Sequence, residues 1–380
     1  MMVRFGAAGA NRAGAGAAAR GAVLPPDERI HCAYAALSGA RRRAYEDICR
    51  ALAEGRPRAR VRGMASADEA FEVLRMVKAD HPEVHWLGSG ASIAVGLGFA
   101  EVSVARCADA RPDDDARLAA AAEAFLSALP AGAGEYECAK RAFSQVAGGT
   151  RYDFAARDAD DGGPAGMRPF EATGALLDSS AVCAGFAKGV QLLLQRAGVM
   201  AALVSGEARS ASDPDDAWGS HAWLVARIEG RFYHMDPTWA SLSADRAAAT
   251  GAQGVSFDYF CLTDAEISAT HRVTAAPFPV PACTATAAEY YRREGLCLRA
   301  WDAGRYADMV GRQLAAGASG AAVKAASDAV YAKMEREVVH GRGGWRTLER
   351  VSALTGADYR GANLRFVLNP QLRILTLLVA

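Results

Sequence analysis

The 380-residue chain reads as an α+β protein. Three observations carry that reading. The first third and the last quarter show apolar residues at helical spacing between capping signals. A block of short β-rich runs lies between them: "VMAALVSGEA", "HAWLVARI" and "RFYHMD". Helices, strands and helices therefore follow one another in groups, not in the β-α-β alternation of a doubly wound parallel sheet.

The elements follow in order. Residues 1–27 are Ala/Gly-rich, with Arg4, Arg12 and Arg20 scattered through them and no continuous apolar stretch, and they read as a disordered tail. Residues 28–116 form an N-terminal α/β accessory region. "RRRAYEDICRALAEG" is a helix stopped by Gly55. "SADEAFEVLRMVKADHPE" opens on Ser66 and Glu69 at capping-box spacing, carries Phe71, Leu74 and Val77 on one face, and ends at His81-Pro82. "VHWLGSGASIAVGLGFAEVSVAR" reads as strands broken by glycines. Its GxG is followed by neither a helix nor a Lys-Ser/Thr pair, so it marks hairpin turns and not a phosphate loop.

Residues 117–275 form the central region. Two helices, "RPDDDARLAAAAEAFLSALPAG" and "GEYECAKRAFSQVAGG", lead through the loop "RDADDGGPAGMRP" into the apolar helical run that starts at Cys183. That loop lacks the alternating ligands and terminal Glu of a calcium loop and reads as a flexible surface segment. Residues 276–380 read as a helical region, from about Ala287 to Val339, closed by the apolar strand "LRILTLLVA".

Composition excludes several classes. The 43 Lys and Arg balance 43 Asp and Glu, which leaves no basic footprint for nucleic acid. No run of eighteen apolar residues suggests a membrane span. The N-terminus lacks the h-region of a secretory signal, so a cytoplasmic location is expected. Eight cysteines are scattered without CxxC spacing, which argues against zinc ribbons and thioredoxin-like motifs and favours reduced thiols.

One cysteine stands apart. In "DSSAVCAGFAKGVQLLLQRAGV", Cys183 falls in the first turn of a helix whose face carries Phe186, Val190, Leu193 and Leu194 and whose stop is Gly198. Asp178, Ser179 and Ser180 are the candidate caps. A first-turn thiol meets the positive end of the helix dipole, which favours thiolate. A buried cysteine acting as a small hydrophobe is the structural alternative.

Downstream, "HAWLVARI-EG-RFYHMD" reads as a hairpin with a two-residue Glu229-Gly230 loop. That register sets Trp223 opposite Asp236 and puts His221 and Asp236 on one face as diagonal neighbours. Diagonal Cα atoms lie about 7–8 Å apart, within bridging reach of an imidazole and a carboxylate. Thiol, imidazole and carboxylate in this order make a nucleophile, a base and a group that orients the base.

These blocks resemble the transglutaminase-like superfamily, particularly its bacterial members. Val182-Cys183-Ala184-Gly185-Phe186-Ala187, His221-Ala222-Trp223 and Asp236-Pro237-Thr238-Trp239 match its nucleophile turn, base strand and acid strand, and "YFCLTDAEISATHR" follows. The likeness runs from about Leu118 to Arg272. It implies a papain-like core, a thiol-bearing helix packed on an antiparallel sheet, with Cys183 as nucleophile, His221 as general base and Asp236 as orienting acid. It also implies a site without metal or cofactor. The chain departs from many relatives at Leu224, where they carry Asn.

The expected function is cysteine-dependent acyl transfer on a peptide or protein carbonyl through a thioester, ending in hydrolysis; a cell-wall peptide is one candidate substrate. The alternative is a transglutaminase-like scaffold without turnover, which would bury Cys183. Trp223, Trp239 and Tyr152 are the candidate substrate-binding residues, with core packing as the competing reading of each. His234 shares the face of Asp236 and competes as an imidazole partner, whereas His271 reads as a charge near a helix C-terminus. Cys183, His221 and Asp236 are also competent zinc ligands, but no fourth ligand sits at a recognisable spacing.

Overall fold

The computed structural model describes residues 2–5, 23–159, 166–209, 217–241, 255–318, 320–359 and 361–379. Most of the 1–27 tail and the centre of the "RDADDGGPAGMRP" loop lie outside these residues. The architecture is α+β. Among the described strand pairs, Arg151–Tyr152 with Ser180–Ala181 and Cys297–Leu298 with Gly320–Ala325 are parallel. The pairs of the N-terminal sheet are antiparallel, as are Arg231–Met235 with Phe260–Leu262 and Ile374–Val379 with both Gly320–Ala325 and Leu364–Asn369.

The chain divides into two compact units, one made of residues 1–207, 220–232 and 273–282, the other of 208–219, 233–272 and 283–380. The first unit begins with a four-stranded antiparallel sheet. Its order is β1 (Met2–Phe5), β3 (Leu87–Gly96), β4 (Phe99–Arg106), β2 (Arg58–Arg62). Residues 2–5, assigned to the tail in the sequence reading, are therefore a strand. The glycine-broken run is the β3–β4 hairpin, in which Gly96 pairs with Phe99 around a two-residue loop. Helices α1 (Cys32–Ala35), α2 (Gly39–Ala53) and α3 (Ala67–Asp80) accompany this sheet. Alternation in β2 turns Ala59 and Val61 inward. Ser66 caps α3 by accepting from Glu69 N, while the Glu69 carboxylate reaches back to Ala65 N.

The same unit then gathers helices around one central helix. These are α4 (Asp114–Ser127), α5 (Glu135–Gly149), α6 (Phe154–Ala159), α7 (Ala172–Leu176) and α8 (Cys183–Arg196), with α4, α5 and α7 all packed against α8. Phe186, Val190, Leu193 and Leu194 have no exposed surface, as their spacing implies. The rest of the helix departs from an amphipathic pattern, because Lys188, Gln191 and Gln195 are buried as well. Each carries its own partner inward: Lys188 meets Glu171, and both glutamines donate to Ala201 O. Gly198 ends the helix at φ +79°, and Gly198 N and Val199 N close a Schellman motif on Gln195 O and Leu194 O.

A five-stranded sheet follows, in the order β10 (Phe260–Leu262), β9 (Arg231–Met235), β8 (Gly219–Ile228), β7 (Ala201–Ala208), β11 (His271–Ala275). The β8–β9 loop is the expected two-residue Glu229-Gly230, and its φ values of +51° and +78° put both residues in the left-handed region that a type I′ turn uses.

In the second unit, residues 237–241 form α9, followed by α10 (Asp264–Ile267) under a Thr263–Glu266 capping box. The C-terminal part is less helical than its sequence suggests. Helices α11 (Tyr290–Arg293), α12 (Ala303–Ala315), α13 (Asp328–Glu335) and α14 (Gly343–Thr355) accompany a four-stranded sheet. Its order is β12 (Cys297–Leu298), β13 (Gly320–Ala325), β15 (Ile374–Val379), β14 (Leu364–Asn369), so the expected closing strand is one of four. Its apolar residues read as a helix segment or a short strand alike by periodicity, and pairing decided between them. Val310, Val323, Val351 and Leu377 form the heart of its core.

Candidate active site

Cys183 is the first residue of α8 and is partly exposed. The chain enters the helix from a two-residue strand, β6 (Ser180–Ala181), which pairs in parallel with β5 (Arg151–Tyr152). Arg151 N donates to Ser179 O at 3.0 Å and Asp153 N to Ala181 O at 2.9 Å. Val182, not Asp178, Ser179 or Ser180, is therefore the N-cap, and no side chain caps this helix. Asp178 instead pairs with Arg168 at 2.7 Å, and Ser180 donates to Asp153 at 3.2 Å. Strand pairing took the caps away, and it left the first-turn N–H groups around Cys183 without a side-chain acceptor from the cap position.

Gly185 explains why the nucleophile turn tolerates no side chain two residues on. A Cβ there would lie 2.3 Å from Pro169 O and 2.8 Å from the Ala181 Cβ. Val182 N donates to the same Pro169 oxygen at 2.9 Å, so residues 169–171 are drawn tightly over the start of α8. Tyr152 lies beside this turn, its ring stacked 6.4 Å from Phe186 and edge-on to Phe154 at 4.9 Å.

His221, near the start of β8, is half-buried, and its ring stacks at 6.1 Å and 20° on Trp223. Trp223 has no exposed surface. That burial is the core packing that competes with a substrate-binding reading of this indole, and its ring packs against His221.

Asp236 follows β9 directly and is fully buried in the second unit. Its Oδ1 accepts from Thr238 N at 2.9 Å and from Trp239 N at 3.4 Å; its Oδ2 sits 3.1 Å from His271 Nε2. His271 is therefore no exposed charge at a helix end: it opens β11 with its side chain sealed from solvent. Trp239 and Tyr259 flank its ring at 4.6 and 5.6 Å. His234 points to a different carboxylate, with Nε2 2.9 Å from Asp264 Oδ1, and burial lowers its pKa. The contact between His271 and Asp236 is not legible in the sequence beyond the place of His271 at the end of the "YFCLTDAEISATHR" block.

The described residues contain no helix long and apolar enough to cross a membrane. Comparison with known proteins gives one family match, to the transglutaminase-like superfamily over residues 128–237. A solved structure described as a TGase is 14% identical, with a TM-score of 0.28, and the match covers 48% of this chain and 50% of that one. A second, from Cytophaga hutchinsonii and described as a "Putative Cysteine Protease", is 13% identical with a TM-score of 0.22, covering 39% and 55%. The chain thus spans about half the length of each of these structures. No curated protein matches it. The matched segment holds Tyr152, Cys183, His221, Trp223 and Asp236, and over it the chain is similar to the transglutaminase-like superfamily.

Proposed function

We propose that the chain is a cysteine-dependent acyl-transfer enzyme that hydrolyses a peptide or protein amide through a thioester. The observation that carries this reading is the place of Cys183: a partly exposed thiol held at the first residue of α8 by the β5–β6 pairing. A scaffold without turnover has no need to keep that sulfur open.

In this reading Cys183 is the nucleophile, His221 the base and Asp236 the group that orients the imidazole. Support for the last two comes from the Glu229-Gly230 turn, whose two-residue length is the condition for His221 and Asp236 to share a face. The Cys183 thiolate attacks the carbonyl carbon, and the carbonyl electrons move onto oxygen. The Cys183 N–H, with no acceptor inside its own helix, is a donor suited to that oxyanion. Collapse breaks the C–N bond, and the His221 imidazolium protonates the departing amine, leaving a thioester. His221 then takes a proton from water as the water oxygen attacks; the acid leaves and Cys183 is restored. A primary amine in place of water would give a new amide. Trp239 and Tyr152 are the side chains offered to the substrate, and a cell-wall peptide is one source of it. The protein works without metal or cofactor in this scheme.

The test is the rate of iodoacetamide labelling at Cys183 against pH, read by mass spectrometry. Rapid labelling that persists well below pH 8 and is lost in His221→Ala is the expected result. Labelling no faster than a model thiol in both proteins would sink the catalytic reading.

A further inference from the structure

We propose that His271 is a positioning residue for the reaction, a fixed hydrogen-bond donor that holds Asp236 ionised and in one orientation. The inference rests on the Cys183–His221–Asp236 reading and adds a fourth residue to it.

A carboxylate presents about four lone-pair sites to donors. In the second unit three are already occupied: Thr238 N and Trp239 N on Oδ1, His271 Nε2 on Oδ2. Neither Asp236 nor the His271 side chain has exposed surface, so water does not compensate a lost donor. A buried carboxylate short of one donor would take up a proton or rotate toward another partner, and either change withdraws the acceptor from the base.

The His271 tautomer follows from its other nitrogen. Thr270 Oγ1 lies 2.8 Å from Nδ1, against 3.4 Å from Ile267 O. A hydroxyl that donates to Nδ1 fixes the proton of the neutral ring on Nε2, facing Asp236. Trp239 against one side of the ring and Tyr259 nearby hold its plane. Trp239 also supplies one of the N–H donors, so the segment after Asp236 and the imidazole fix the carboxylate jointly.

The experiment uses the full chain and needs no known substrate. Cys183 labelling by iodoacetamide is followed from pH 5 to 9 in the parent and in His221→Ala, His271→Phe, His271→Gln and Thr270→Val, each with its melting temperature. His271→Phe removes the donor and should slow labelling near pH 6 about tenfold, moving the profile up by about one unit. His271→Gln restores an N–H close to the Nε2 position and should stay within about threefold of the parent. Thr270→Val frees the tautomer and should shift the profile the same way as His271→Phe, by less. A parent-like profile in His271→Phe overturns the proposal, and so does a His271→Gln protein as slow as His271→Phe. Should His271→Phe fail to fold, an unshifted Thr270→Val has the same consequence. Loss of the fast reaction in His221→Ala alongside any of these outcomes leaves the triad reading standing, whereas labelling insensitive to His221→Ala removes the reading beneath.

Discussion

At Gly185 the motif and the packing meet in one atom that is not there. The sequence places a glycine two residues after the thiol, and the fold supplies its reason: Pro169 O occupies the space a side chain would need. Gly185→Ala should therefore displace residues 169–171 and cost about 1–3 kcal/mol, with Cys183 labelling altered in parallel. Urea unfolding checks the first part; a variant as stable as the parent would show that the contact yields freely. His31 offers a second prediction at this scale. Burial first, and the neighbouring His81 second, push its pKa down to about 3, against opposing pulls from Glu83 and Asp27. The unfolded chain thus binds the extra proton between about pH 6.5 and 3, so His31 costs stability progressively as pH falls through that window. His31→Leu should flatten the acid limb of stability against pH relative to the parent. His81 works in the opposite sense: burial pulls its pKa down, but Glu83 and Cys49 together outweigh that and raise it. Only the difference between parent and variant isolates His31.

At the scale of elements, α8 shows why apolar spacing located a helix but mistook its surroundings. Phe186, Val190, Leu193 and Leu194 mark one face, yet Lys188 is just as deeply buried. Its Nζ lies 2.5 Å from Glu171 Oε2, and Lys78 stands 3.7 Å from the other oxygen of that carboxylate. Burial lowers the Lys188 pKa, opposed chiefly by Glu171. Removing Lys188 leaves the buried Glu171 carboxylate with Lys78 alone at 3.7 Å, so Lys188→Met should cost up to about 3–5 kcal/mol. Glu171→Leu with Lys188→Met should recover much of that loss, and a double-mutant cycle by urea unfolding measures the coupling. Simple additivity of the two losses would mean that the pair is not coupled. The β8–β9 hairpin is the contrasting element. A two-residue Glu-Gly turn between β-rich runs is local chemistry; the structure reproduces its length and adds that both residues are left-handed.

At the scale of the molecule, the second unit is assembled from residues far apart in sequence. Tyr259, Leu262 and Ile267 share one cluster with Tyr291, Leu296, Leu372 and Ile374. Lys324 on β13 is fully buried between Glu266, at 2.8 Å, and Glu289, at 3.3 Å. A chain ended after Ala282 would strip the 259–267 segment of these apolar partners and leave Glu266 without its cation. Such a truncation should bind a hydrophobic dye and lose its cooperative melt. A sharp melt near that of the full chain would show that the core holds itself together without the last hundred residues.

The sequence alone determined what depends on neighbours a few residues away. That includes the α+β class, the helices closed by Gly55 and Gly198, the two-residue turn at Glu229-Gly230, and a cysteine at a helix start with His221 and Asp236 beyond it. Tertiary structure decided what depends on chain segments meeting across long separations. It replaced the expected caps Asp178, Ser179 and Ser180 by Val182, because β6 pairs with β5 thirty residues earlier in the chain. It paired the C-terminal apolar runs into a sheet, because hydrophobicity marks burial and not the partner that provides it. It turned His234 to Asp264 and His271 to Asp236, a choice between carboxylates that alternation along one strand does not encode. Buried polar groups take the partner within about 3 Å, and that distance is set only once the whole chain has closed around them.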